Sequence, residues 1–83
     1  MDLVIRNARV VDGTGAASFA ADVAVKDGVI ASIGKFEGSA TREIDARGHV
    51  LAPGFIDIHT HYDPQICWDR LATPSIEHGV TTV

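Results

Sequence analysis

The chain has 83 residues, of which 46% are hydrophobic and 22% charged, and a formal net charge of −4. A chain this short makes at most one small domain and buries only ~60% of its unfolded surface. The acidic balance offers no basic patch for nucleic acid, and no run approaches the ~18 apolar residues of a membrane span. The start, Met1-Asp2-Leu3-Val4-Ile5-Arg6, lacks the basic segment and long apolar stretch of a secretory signal. A lone Cys67 excludes an internal disulfide framework. A cytoplasmic, reducing setting is the expectation.

The first fifty residues alternate short β-prone runs with turn residues. Leu3 to Arg6 and Arg9 to Val11 flank Asn7-Ala8, read as a tight turn because Asn tolerates positive φ. Asp12-Gly13-Thr14-Gly15 breaks the pattern. Asp22 to Lys26 and Val29 to Ile33 flank Asp27-Gly28, a strong two-residue hairpin signal. Gly34 to Ala40 reads as loop, and Arg42 to Asp45 and His49 to Ala52 flank a turn at Ala46-Arg47-Gly48. No stretch sustains a helical period. The expectation is a small antiparallel β unit.

From Pro53 the grammar changes. A strand from Phe55 to about His59 leads into a polar, irregular loop, Tyr62 to Ala72. Thr73-Pro74 reads as an N-cap followed by proline at the first helical position. Ser75 to His78 then forms a short helix, Gly79 stops it, and Val80 to Val83 begins another strand. Strand, loop, helix, strand is the rhythm of a parallel sheet. The β-branched end, Val80-Thr81-Thr82-Val83, has no closing turn signal, so the chain reads as a truncated product or fragment. The plainer reading is a short edge strand at a true terminus.

The chemistry gathers at Pro53-Gly54-Phe55-Ile56-Asp57-Ile58-His59-Thr60-His61. On a strand, i and i+2 share a face, so Asp57, His59 and His61 look one way. The two histidine Cα atoms would lie roughly 6.5–7 Å apart, and imidazoles at that spacing can converge on one metal ion. In a (β/α)₈ barrel, ligands belong at the C-terminal ends of the strands, where this pair falls. Asp57 can orient an imidazole through a hydrogen bond or simply satisfy nearby backbone donors. Asp63 can touch substrate or the metal's surroundings, or cap its loop. His49 and His78 read as ordinary residues, and Trp68 and Tyr62 as pocket lining or loop packing.

These residues amount to a family resemblance. Pro53 to Asp57 followed by His59 and His61 resembles the first barrel strand of the amidohydrolase superfamily. Leu3 to Asn7 and Val11-Asp12-Gly13 resemble that family's β-sandwich, and Gly79 to Val83 its second barrel strand. Tyr62-Asp63, Cys67-Trp68-Asp69 and Thr73-Pro74 look most like the D-aminoacylase (N-acyl-D-amino-acid deacylase) branch.

The resemblance implies an α/β parent, a (β/α)₈ metal-dependent hydrolase barrel with a small β-sandwich domain. Residues 1–52 would be sandwich strands and residues 53–83 the start of the barrel. It implies His59 and His61 as metal ligands for one or two Zn²⁺ ions, with the other ligands and an aspartate base outside this chain. Cys67 follows the histidine pair too closely to be that branch's bridging cysteine. The implied reaction is hydrolysis of a non-peptide C–N amide bond in a small molecule, N-acyl-D-amino acids first. Cyclic amides of the dihydropyrimidinase, hydantoinase or dihydroorotase type come second. A non-catalytic assembly protein of the same fold and a stand-alone β-rich binding module are the competing classes. No nucleic acid or membrane partner is implied, and a homo-oligomeric parent is compatible. With two ligands and at most two barrel strands, the 83-residue chain alone is expected to be inactive.

Overall fold

The computed structural model describes all 83 residues, which divide into two compact units, Met1–Pro53 and Gly54–Val83. The first is a five-stranded sheet. Its strands are β1 (Leu3–Val10), β2 (Phe19–Lys26), β3 (Val29–Gly34), β4 (Arg42–Asp45) and β5 (Val50–Leu51). The order is β3-β2-β1-β4, and β5 pairs with β1 beyond the end of β4. Both β4 and β5 run parallel to β1, whereas β2 and β3 are antiparallel to their neighbours. The unit is therefore mixed rather than antiparallel. The hairpin signals are all local, and they say nothing about which edge of β1 a later strand will join.

Asn7 does adopt a positive φ of 60°, but it makes a bulge and not a turn. Between the pairs Ile5↔Val23 and Ala8↔Ala21, β1 advances three residues while β2 advances two. One extra residue reverses the inward parity of the strand. Ile5 before the bulge and Ala8 and Val10 after it consequently pack with Val23 and Ala46 in one cluster. Val4, opposite Ala24, is fully buried on the other side of the alternation. A bulge leaves backbone groups out of the ladder. Here the Asn7 N–H donates to Asp22 Oδ1 at 2.9 Å, and Asn7 Nδ2 donates to Asp45 Oδ1 at 3.3 Å.

The Asp27-Gly28 hairpin forms as expected, with both residues at positive φ, 53° and 76°. The Gly34 to Ala40 loop is tied down by Arg6, whose Nη1 and Nη2 donate to the carbonyls of Phe36 and Gly38, each at 2.7 Å. The turn after β4 is closed by the Arg47 N–H donating to Asp45 Oδ1 at 3.0 Å.

The second unit pairs β6 (Phe55–Ile56) in parallel with β7 (Val80–Thr82). The Phe55 N–H donates to the Gly79 carbonyl and the Asp57 N–H to the Thr82 carbonyl, both at 2.9 Å. Gly54 is required by close approach, because a Cβ there would overlap the Thr81 side chain. Between the strands lie helix α1 (Tyr62–Gln65), a run of turns, and a 3₁₀ helix over Ser75–His78 that Gly79 ends at φ 84°. The segment read as an irregular loop thus opens with a helical turn. Pro64 sits in its first turn, where a missing N–H costs nothing because those donors have no partner within the helix. Thr73 is not an N-cap: Pro74 holds that position without a side-chain hydrogen bond. No helix is long and apolar enough to cross a membrane.

Candidate metal centre

The strand read as running to about His59 ends at Ile56, so Asp57, His59 and His61 do not share a strand face; the two histidines lie past β6, on the stretch that joins it to α1. The ladder hydrogen bond from the Asp57 N–H is its last pairing with β7, so from Ile58 onward the backbone is free to turn. Asp57 Oδ1 accepts from the His59 N–H at 3.0 Å. One oxygen of the carboxylate therefore braces the backbone at His59. His61 is the N-cap residue of α1, at φ −117° and ψ 38°, so the helix sets its backbone.

These two constraints bring the rings together. Their centroids are 5.6 Å apart, with planes inclined at 50°, and both residues are exposed. With each nitrogen about 2.0–2.1 Å from zinc and about 1.1 Å from its ring centre, two imidazoles at tetrahedral angles have centroids roughly 5–5.5 Å apart. The observed 5.6 Å lies slightly beyond that range, so the two rings are neighbours that a small adjustment would bring to one ion; imidazole donors suit zinc, copper, iron and nickel. No three His, Cys, Asp or Glu side chains in the chain are grouped to hold a metal. The chain thus presents two donors, fewer than the three protein ligands of a catalytic zinc site.

The other named residues stand apart from the pair. Asp63 is exposed in the first turn of α1, where its backbone carbonyl lies 3.8 Å from Cys67 Sγ. Cys67 is a free, exposed thiol. His49 belongs to the first unit, with Nδ1 3.2 Å from the Arg47 carbonyl. His78 is exposed at the end of the 3₁₀ helix. Tyr62 packs its loop, donating its hydroxyl to the Ala72 carbonyl at 2.7 Å, while Trp68 is 75% exposed.

Sequence reasoning missed the polar residues beyond the pair. Asp69 Oδ2 accepts from Thr73 Oγ1 at 2.7 Å and from Gln65 Nε2 at 3.2 Å, and Oδ1 accepts from the Leu71 N–H at 3.3 Å. Gln65 Nε2 also donates to the Thr73 carbonyl. The Thr73 hydroxyl foremost, helped by Gln65, holds the Asp69 carboxyl below the usual carboxylate range. The signal available was the spacing of Gln65, Asp69 and Thr73, each four residues from the next.

Two neighbouring imidazoles follow a strand that is paired in parallel with the next one. Residues 42–83 match the profile of the Amidohydrolase family, and residues 1–53 match that of the Urease alpha-subunit, N-terminal domain. The chain belongs to the amidohydrolase family.

Among curated relatives, D-aminoacylase of Alcaligenes xylosoxydans xylosoxydans is 41% identical over 83 residues, covering 99% of this chain and 17% of the relative. Adenine deaminase 2 of Desulfotalea psychrophila is 42% identical, covering 99% of this chain and 14% of the relative. The crystal structure of a D-aminoacylase superposes with a TM-score of 0.89 at 44% identity, over 96% of this chain and 17% of that one. N-acyl-D-glutamate deacylase from Bordetella bronchiseptica, solved with zinc and a phosphonate inhibitor, gives 0.73 at 44% identity over 78% of this chain and 14% of that one. The chain therefore spans about a seventh to a sixth of the length of the proteins it resembles.

Proposed function

We propose that His59 and His61 are two ligands of a catalytic divalent metal, zinc first, in an amidohydrolase centre completed by residues outside these 83. Residues 1–52 then contribute strands of the β-sandwich domain, and residues 53–83 the start of the (β/α)₈ barrel. The reaction is hydrolysis of a C–N amide bond in a small molecule, with N-acyl-D-amino acids as the leading substrates. The observation that carries this reading is the pair of rings 5.6 Å apart immediately after a parallel-paired strand.

A metal held there supplies Lewis-acid polarisation of the substrate carbonyl and activation of water. The chain's own residues prepare the site. Asp57 fixes the peptide beneath His59, and α1 fixes that of His61. Asp63, two residues beyond His61 and free to face a ligand, is the candidate to touch substrate or to orient an imidazole.

The decisive experiment replaces the equivalent N-terminal segment of Alcaligenes D-aminoacylase with residues 1–83. The folded chimera is expected to bind zinc and to hydrolyse N-acyl-D-amino acids. His59→Ala or His61→Ala should cut its turnover more than about a hundredfold, beyond the loss typical of residues one step removed from a metal, with less metal by mass spectrometry. Unchanged metal content and turnover in both variants would sink the proposal. Substrate choice needs a gene product carrying this segment with its own barrel, tested side by side on N-acyl-D-amino acids, cyclic amides and adenine. Preferential turnover of adenine would move the assignment to hydrolytic deamination.

A further inference from the structure

We propose that Asp69 is a positioning residue for the histidine pair: with Gln65, Thr73 and Tyr62 it clasps the loop after β6 and so keeps the His61 ring beside that of His59. The inference rests on the reading of the pair as metal ligands and goes beyond it, by assigning work to residues that touch neither ring.

The path from Asp69 to the ring is short. His61 caps α1, and Tyr62 is the first residue of that helix. The Tyr62 hydroxyl donates to the Ala72 carbonyl, and the Ala72 N–H donates to the Asp69 carbonyl at 3.1 Å. Ala72 sits at φ 52°, a left-handed conformation unfavourable for a residue with a Cβ. The surrounding hydrogen bonds from Thr73, Gln65 and Leu71 to the Asp69 carboxylate hold the chain on either side of that residue. Helix α1 has only four residues and no side-chain cap, too little to persist by itself. Beside the clasp, α1 is joined to the turns that follow by its backbone hydrogen bonds and the Cys67 Sγ to Asp63 carbonyl contact at 3.8 Å; the clasp adds the side-chain ties from Tyr62 and Gln65 that reach as far as Ala72 and Thr73.

Partners that orient a ligand one step removed from the metal typically contribute 10–100-fold in metal affinity. A clasp acting through a helix turn belongs at the low end of that range. The test uses the 83-residue chain, with zinc as the probe and nuclear Overhauser effects between the two imidazole rings as a metal-free readout. Ring centroids at 5.6 Å bring ring protons within reach of that measurement. Asp69→Ala, Thr73→Val and Tyr62→Phe each remove part of the clasp and should each weaken the ring-to-ring signal and zinc binding, the latter by up to about tenfold. Thr73→Ser keeps the hydroxyl and should restore both.

Amide spectra of Met1–Pro53 identical to the parent chain would show that the variants are folded there. Ring signals and zinc affinity unchanged in all three variants would overturn the inference, as would absence of the ring-to-ring signal in the parent chain. If His59→Ala and His61→Ala leave zinc binding untouched, the metal reading fails, while the metal-free signal still decides the clasp.

Discussion

Asp22 shows how much one carboxylate does in the first unit. Oδ1 accepts from the bulge N–H of Asn7 at 2.9 Å, Oδ2 accepts from the Phe36 N–H at 3.1 Å, and Arg6 Nη1 lies 3.7 Å away. The side chain retains 13% exposure. The Asn7 and Phe36 N–H groups, more than Arg6, hold its carboxyl below the usual carboxylate range. Asp22→Ala would strand two peptide donors, one of them at the residue that reverses the parity of β1. Hydrogen bonds to a charged acceptor contribute about 1.5–3 kcal/mol each, so losing two is expected to cost at least about 3 kcal/mol, read as a fall of at least about 12 °C in Tm. Because the folded-state carboxyl titrates below its unfolded value, its stabilisation is complete above about pH 4 and fades as pH falls through the depressed value. The parent should lose stability across that acid range more steeply than Asp22→Ala. A variant that melts like the parent at neutral pH would refute this account.

At the scale of elements, Gly54 sets how closely β6 and β7 approach. Gly54→Ala should push β7 away, with faster exchange of the Phe55 and Asp57 amides that donate to Gly79 and Thr82. Adding Thr81→Gly should relieve the overlap and restore protection, a coupling that neighbouring residues show and distant ones do not. Slow exchange retained in Gly54→Ala alone would contradict the reading.

The same elements show what a linear reading can reach. The Asp27-Gly28 hairpin and the Gly79 stop were legible because glycine and aspartate solve a local backbone problem. Asn7 was legible as a positive-φ site, but its consequence depends on where the chain goes next. A second run that continues in the same direction makes it a bulge, and one that folds back makes it a turn. Parallel pairing of β4 and β5 with β1 was hidden for the same reason, since non-local pairing leaves no mark at the turn. At the site, His59 and His61 were legible as a neighbouring pair of imidazoles, whereas the hydrogen bonds of Asp69 depend on Gln65, Leu71 and Thr73 placed around it.

Across the whole chain, the count of metal donors decides what the 83 residues can do unaided. Two imidazoles lie 5.6 Å apart, and no third His, Cys, Asp or Glu joins them. Two nitrogen donors can hold zinc weakly, yet they leave most of the coordination sphere to water and fix no substrate in place. Both rings are also exposed, whereas activation of water depends on a shaped, dry cavity around the ion. The second unit offers one pair of parallel strands, and its Ile58 and Leu71 side chains are 96% and 79% exposed. Purified 83-residue chain supplied with zinc should therefore show no turnover of N-acyl-D-amino acids above the metal-only control, measured as released free amino acid. The same protein should still bind zinc weakly through His59 and His61. Metal-dependent turnover that disappears in His59→Ala would show instead that two ligands suffice, and that the site needs no residue beyond this chain.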